Sequence, residues 1–291
     1  MECQYYYDQI MQLYGLDEMK IVLRKWSNVS RNLKYANDMP VILPNLLWVT
    51  KPGIGKSCYI KLLAEYLSAA RLMSFYGNVK SLEFALDYCP DEVDFSELRR
   101  LMRELKAATG YRGDFKGVLS VELDQWIDHF NSQHFKRLMT YLSGMDNSLC
   151  IIFVLENADQ KNLSDLERVL AQYVRIDKVE SSYPPVEDFL SYVIDWLSNY
   201  DFKLEDDAIG LLRTSIDFLR SSDSFDGFKT LNLMCEDIVF EICAADDFDQ
   251  KRVLSSQELH DYSRDGIFIN RLKEMVHKRR IGFDLEPGGI R

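Results

Sequence analysis

The chain has 291 residues, 47% of them hydrophobic and 12% aromatic, enough for one large packed domain or two moderate ones. A net charge of −11 excludes binding to nucleic acid or an anionic membrane through the whole surface, while leaving room for a local basic patch. No window reaches the roughly 18 consecutive apolar residues of a membrane span, and Met1 to Tyr7 lacks the basic-then-apolar order of a signal peptide.

Helical periodicity runs from Tyr5 to Trp26 (Ile10, Leu13, Tyr14, then Met19, Val22, Leu23, Trp26), with Gly15 separating two short helices. An apolar strand is predicted over 46–49 and a helix over 58–73. A second strand is predicted over 81–88, ending at the Cys89-Pro90 turn, and an amphipathic helix bearing Arg99, Arg100, Arg103 and Lys106 over 95–108. Strand 117–123, helix 133–142, the almost wholly apolar strand 149–155, helix 163–173 and strand 174–179 follow. Strands alternating with helices imply parallel βαβ units with helices on both faces of one sheet. After Pro184-Pro185 the pattern turns helical, with helices predicted over 186–199, 205–219, 228–244 and 256–278. The expected division is a helical linker at 1–38, an α/β domain at 39–183, a helical domain at 184–280 and a flexible tail at 281–291.

The segment Thr50-Lys51-Pro52-Gly53-Ile54-Gly55-Lys56-Ser57 lies between the first strand and the helix opening at Cys58, the context a phosphate-binding P-loop requires. Unpaired N–H groups at a helix start, with the positive end of its dipole, favour an anion. Gly53 and Gly55 let the main chain of Pro52 to Ser57 curl around a phosphate without a Cβ in the way. Lys56 is placed to reach the β- and γ-phosphates and the Ser57 hydroxyl to ligate Mg²⁺. Thr50 stands where the motif has its first glycine, and its β-branch is stiffer and bulkier.

The six cysteines form no C-x-x-C pair, and the four histidines show no zinc spacing. Cys58, Cys150 and Cys243 lie among apolar neighbours and read as core thiols. A disulfide framework is not expected at this length, so the expected setting is a reducing cytoplasm.

A P-loop α/β domain followed by a small helical domain resembles the AAA+ ATPases, over about residues 8 to 280. Tyr14-Gly15-Leu16-Asp17-Glu18-Met19-Lys20 is similar to a segment of the stage V sporulation protein K and rubisco-activase-like branch. There it lines the adenine pocket, which implies base contacts for Leu13, Tyr14 and Leu16. The resemblance implies a P-loop NTPase three-layer parallel sheet with a C-terminal helical lid, binding ATP or ADP with Mg²⁺.

The family's Walker B strand has four apolar residues, then Asp, then Glu. Here Gly117-Val118-Leu119-Ser120-Val121-Glu122-Leu123-Asp124-Gln125 allows two registers. One puts Glu122 in the metal role and Leu123 where the catalytic glutamate belongs. The other puts Asp124 in the metal role and Gln125 in the base role, where an amide cannot take up a proton as a carboxylate does. Period-2 alternation places Ser120, Glu122 and Asp124 on one face, so both acids approach the same magnesium. Asn157 matches the polar sensor 1 residue that holds the attacking water or γ-phosphate; as a bland alternative it starts a turn. Arg168 and Arg175 are the candidates for a trans-acting arginine, though neither has the family's context. At the sensor 2 position the only cation is Lys229. The pore-loop position 87–92 has no glycine, which leaves polypeptide threading unsupported.

Three functions are consistent with these residues. The leading one is an ATP-binding subunit with weak or absent hydrolysis, assembling with itself or with a related AAA+ subunit around an unidentified protein client. A second is an active ATPase using Glu122 or Asp124 for Mg²⁺ and Asn157 for water. A third is an ATP-dependent regulator on DNA-bound complexes, supported by the 99–106 cluster and by Arg271, Lys273, Lys278, Arg279 and Arg280, and opposed by the overall charge.

Overall fold

A computed structural model describes residues 2–33, 43–70, 72, 80–85, 88, 96–109, 117–144, 149–156, 160–222, 225–244 and 253–261. The chain divides into two compact units, Met1–Ser182 and Tyr183–Arg291.

In the first unit, α1 (Glu2–Met11) and α2 (Asp17–Leu33) precede β1 (Asn45–Val49) and α3 (Lys56–Ala69). Then come β2 (Lys80–Ala85), α4 (Ser96–Thr109), β3 (Gly117–Glu122), a 3-10 turn (Asp124–Trp126), α5 (Gln133–Ser143), β4 (Leu149–Leu155), α6 (Gln160–Leu170) and β5 (Ile176–Glu180). The five strands form one sheet in the order β2-β3-β4-β1-β5, and every neighbouring pair is parallel. The central strands are buried on both faces, which is why β4 reads as an unbroken apolar run rather than an alternating one. On one face Leu47, Leu119, Val121, Ile151 and Phe153 pack against Leu98 and Leu105 of α4, Phe135 and Leu138 of α5, and Leu163 and Leu166 of α6. On the other, the Trp48 indole meets the Tyr59 ring of α3 edge-on at 5.7 Å. The result is the three-layer parallel P-loop NTPase arrangement expected from the sequence.

The helix carrying the glycine loop is anchored from behind. The Tyr59 hydroxyl donates to the Met19 carbonyl of α2 at 2.9 Å, and its burial pushes the phenol pKa well above the ordinary range. Gly15 and Leu16, between α1 and α2, both take positive φ (64° and 60°), and Lys20 Nζ donates back to the Leu13 carbonyl at 2.6 Å. A left-handed conformation at leucine costs of order 1 kcal/mol or more, and that lysine clasp helps hold it.

The second unit contains α7 (Val186–Ser198), β6 (Lys203–Leu204), α8 (Asp206–Arg220), α9 (Gly227–Ala244), β7 (Val253–Leu254) and α10 (Ser256–Asp261), with β6 and β7 paired. Its core is built from Phe189, Val193, Leu197, Leu212, Ile216, Leu231, Met234 and Leu254.

Several sequence expectations shift. Helix α6 lies at 160–170 rather than 163–173, and β5 at 176–180 rather than 174–179. The strand predicted to 123 ends at Glu122, because Leu123 turns the chain (φ −115°, ψ 9°) into the 3-10 turn. Asp124 therefore does not share a strand face with Glu122. The short β6–β7 pair was not foreseen. Of the helix predicted over 256–278, only α10 falls within the described residues; the basic cluster 271–280 and the tail lie outside them. Cys150 and Cys235 are buried, but Cys58 and Cys243 are exposed. Both exposed thiols lie at helix ends, Cys58 in the first turn of α3 and Cys243 in the last turn of α9, where apolar neighbours in sequence point elsewhere.

Candidate functional site

The order β2-β3-β4-β1-β5 places β4 between the strand that leads into the glycine loop and the strand that ends in Glu122. The carboxyl ends of β1, β4 and β3 therefore lie side by side, at the kind of crevice where open parallel sheets bind ligands.

The loop begins with Thr50, which is only 2% exposed and continues the sheet ladder by donating its N–H to the Leu155 carbonyl at 2.8 Å. Its φ is not positive. The position does not need the left-handed backbone that glycine favours, so the departure from glycine carries no strain of that kind. Gly53 (φ 66°) and Gly55 (φ 92°) supply the left-handed turns that do require glycine. Pro52 lies in the turn, and Ile54 is buried beneath the loop at 2% exposure. Gly55 caps α3 without any side-chain hydrogen bond, and a Cβ built on it would meet nothing within 4 Å. Open space thus lies before a helix start whose first N–H groups have no side-chain acceptor. Ser57 and Cys58, the next helical residues, are exposed.

Lys56 opens α3. Its Nζ lies 2.9 Å from Glu122 Oε1 and 2.8 Å from Glu156 Oε1. Burial acts to lower the lysine pKa, but the hydrogen bonds to Glu156 and Glu122 outweigh it and hold the group above its ordinary value, fully charged. The Ser57 hydroxyl donates to Glu83 Oε2 of β2 at 2.7 Å.

Asp124 Oδ1 accepts the backbone N–H of Glu156 at 2.8 Å, while the Leu123 N–H donates to the Val154 carbonyl at 2.9 Å. These two bonds tie the tips of β3 and β4 together and fix where the Glu156 side chain starts. Leu123 itself is fully buried. Gln125 Oε1 accepts the Tyr88 N–H at 3.0 Å, and the Tyr88 ring stacks on His129 with centroids 3.7 Å apart.

Among the residues singled out in the sequence, the fold brings together Lys56, Ser57, Glu122 and Asp124. Leu16 is buried at 4% exposure between α1 and α2, and Asn157 lies outside the described residues. Arg168 is exposed and paired with Asp165 at 2.9 Å, and Arg175 is exposed. Lys229 pairs with Asp226 at 3.1 Å across the first turn of α9. Two carboxylates were missed, Glu156 and Glu83. The signal for Glu156 was topological: it is an acid at the carboxyl end of the strand predicted to precede helix 163–173, next to the loop.

The donor set fits a polyphosphate: left-handed glycines, an uncapped helix start, open space and a charged lysine. It also fits magnesium held mainly through phosphate oxygens. Among the described residues no group of three or more His, Cys, Asp or Glu is arranged to hold an ion, and Mg²⁺ in nucleotide sites takes only one or two protein ligands. Ser57 and Glu122 are the residues that would supply them.

No protein-family model and no curated protein matches the chain. Solved structures do. C. elegans PCH-2 aligns over 93% of this chain and 73% of its own, with a TM-score of 0.54 at 13% identity. A point mutant of Thermotoga maritima RuvB aligns over 94% of this chain and 75% of its own, with a TM-score of 0.53 at 12% identity. The fold is that of the AAA+ ATPases. At these identities the likeness is one of fold, and the chemistry of this AAA+ fold rests on its own residues. Among the described residues, no helix is long and apolar enough to cross a membrane.

Proposed function

We propose that this chain binds ATP with Mg²⁺ at Pro52 to Cys58, hydrolyses it weakly or not at all, and uses the bound state to control assembly with its own kind or with a related AAA+ subunit on a protein client. The observation that carries the reading is Lys56 at an uncapped helix start behind two left-handed glycines. In this reading the loop N–H groups and Lys56 hold the phosphates, Ser57 and Glu122 face the metal, and Leu16 contributes to the adenine pocket. Mg²⁺, held through Ser57 and Glu122, would neutralise charge on the phosphates. ATP is chosen over GTP from the AAA+ fold and from the lack of an N-K-x-D motif in the sequence. Residues 184–280 serve as the lid, biased by differential affinity for the nucleotide.

Weak hydrolysis follows from what stands beside Glu122. Leu123 is buried and cannot orient water, and the Gln125 amide oxygen is engaged by the Tyr88 N–H. Proton acceptance by a positioned base contributes typically 10²–10⁴-fold to rate, so its loss leaves binding with little turnover.

A second reading, an active ATPase, is favoured by one observation: Glu156 brings a carboxylate to the same lysine from β4. Steady-state phosphate release with Mg-ATP separates the two. The proposal expects release near background. Robust release that is abolished by Lys56→Ala and Glu122→Ala but survives Gln125→Ala would establish the active enzyme instead. An open cavity of about 520 Å³ lined by Arg99, Arg103 and Lys106 of α4, with Met102 and Tyr141, is where a DNA-directed function would act; salt-dependent binding of an oligonucleotide, lost in Arg99→Glu, is its signature.

A further inference from the structure

Lys56 is not an open anion receptor in this structure. Its side chain is 13% exposed, and its ammonium is already shared between Glu122 and Glu156. The two acids are accessible, with side-chain exposures of 41% and 29%, so both can move away into solvent. A third acid, Glu83, holds the Ser57 hydroxyl at 2.7 Å. Both polar side chains that open α3 are thus occupied by carboxylates, from β2, from β3 and from the residue just beyond β4.

We propose that Glu156 is a counter-ion latch: it occupies Lys56 in place of phosphate oxygens, so that a nucleotide enters only by displacing it, and only together with a divalent cation. The inference rests on the nucleotide-binding reading and specifies how that site is regulated.

The two acids differ in what they do next. Glu122 ends β3 against Lys56, the residue before Ser57, and a divalent ion bound there with the phosphates gives its carboxylate a new partner after Lys56 leaves it. Glu156 has no such second role. Its backbone is pinned by Asp124 at 2.8 Å, so the carboxylate stays near the incoming phosphates unless its side chain rotates outward. Like charge at that distance disfavours the complex. Free ATP, bringing phosphate charge with nothing to offset the acids, meets that repulsion in full. Magnesium alone meets a site with too few ligands among the described residues. The cation and the polyphosphate therefore enter as one species, and Glu156 sets how strictly.

Glu156→Gln is the direct test. The amide keeps the size of the side chain, and the bond from the backbone N–H of residue 156 to Asp124 is untouched. Titrating the wild-type chain and the variant with a fluorescent ATP analogue, with magnesium and with EDTA, should show at least tenfold tighter binding in the variant. It should also show a smaller difference between the two conditions. In nucleotide-free protein, acylation of Lys56 by an N-hydroxysuccinimide ester, followed by mass spectrometry, should proceed faster in the variant, a readout independent of any ligand. If the wild type binds and the variant binds no more tightly, with an unchanged magnesium requirement, the latch is wrong and the nucleotide site stands. If neither protein binds, the nucleotide reading falls and takes the latch with it. Glu156→Ala repeats the comparison should Glu156→Gln fail to fold.

Discussion

Lys56 Nζ lies 2.8 Å from Glu156 Oε1, an ion pair between the first residue of α3 and the residue just beyond β4. One hundred positions apart in sequence, the two are brought together by a sheet order that seats β4 against β1. The latch proposed for the site follows from that adjacency.

Asp124 is expected to act through its acceptor rather than its charge. Asp124→Ala leaves the Glu156 N–H without its partner, at a cost of about 1–3 kcal/mol, whereas Asp124→Asn keeps an oxygen facing that N–H and should stay near wild-type stability. Chemical denaturation of both variants checks this. Nucleotide affinity lost in Asp124→Asn without loss of stability would show instead that the carboxylate holds the metal.

Gly55 separates backbone strain from crowding. A Cβ there meets nothing within 4 Å, yet φ is 92°. Gly55→Ala should destabilise the first unit by about 1–2 kcal/mol through the left-handed backbone alone. It should also weaken nucleotide binding, because a methyl group would face the phosphates. Thermal melts with and without Mg-ATP read both effects.

Thiol chemistry should divide by burial. Desolvation pushes Cys150 and Cys235 up to about 12, so both should resist iodoacetamide in the folded protein. Cys58 and Cys243 are exposed and should react. Mg-ATP should protect Cys58, beside the loop, and leave Cys243 unchanged. Site-resolved mass spectrometry gives the rates, and equal rates at Cys58 with and without nucleotide would remove the nucleotide from that helix start.

Acid should loosen the second unit at one identifiable joint. The Ser256 hydroxyl donates to Asp207 Oδ2 at 2.6 Å, tying α10 to α8. Chiefly through that bond the Asp207 pKa falls below its ordinary value of 3.8. A depressed carboxylate contributes stability present above the ordinary value and lost as pH drops through the lower, folded one. Hydrogen exchange in α10 should therefore rise in strong acid. Asp207→Asn should show faster exchange there at neutral pH and a weaker acid dependence.

The sheet was legible because its strands are chemically distinct: Leu149–Leu155 is apolar from end to end and coincides with β4. The glycine loop was legible because Gly53 and Gly55 are where left-handed backbone is needed. The end of β3 was not. The alternation through Val121-Glu122-Leu123-Asp124 continues past the true stop, and nothing local reveals that Leu123 turns inward to the core. Glu156 was missed because a single acid after an apolar strand resembles any strand end, and its partner is supplied by topology. Strands β6 and β7, two residues each, are too short for any periodicity to register. Cys58 and Cys243 were misjudged because neighbours in sequence say little about which way a residue at a helix end faces.

Isothermal titration of the purified chain with Mg-ATP, beside Lys56→Ala, addresses the central claim most directly. The account predicts saturable binding to the wild type, weakened by about a hundredfold or more in the variant through loss of a charge-assisted contact worth roughly 3 kcal/mol. No heat with any adenine or guanine nucleotide plus magnesium, or equal binding by both proteins, would contradict it.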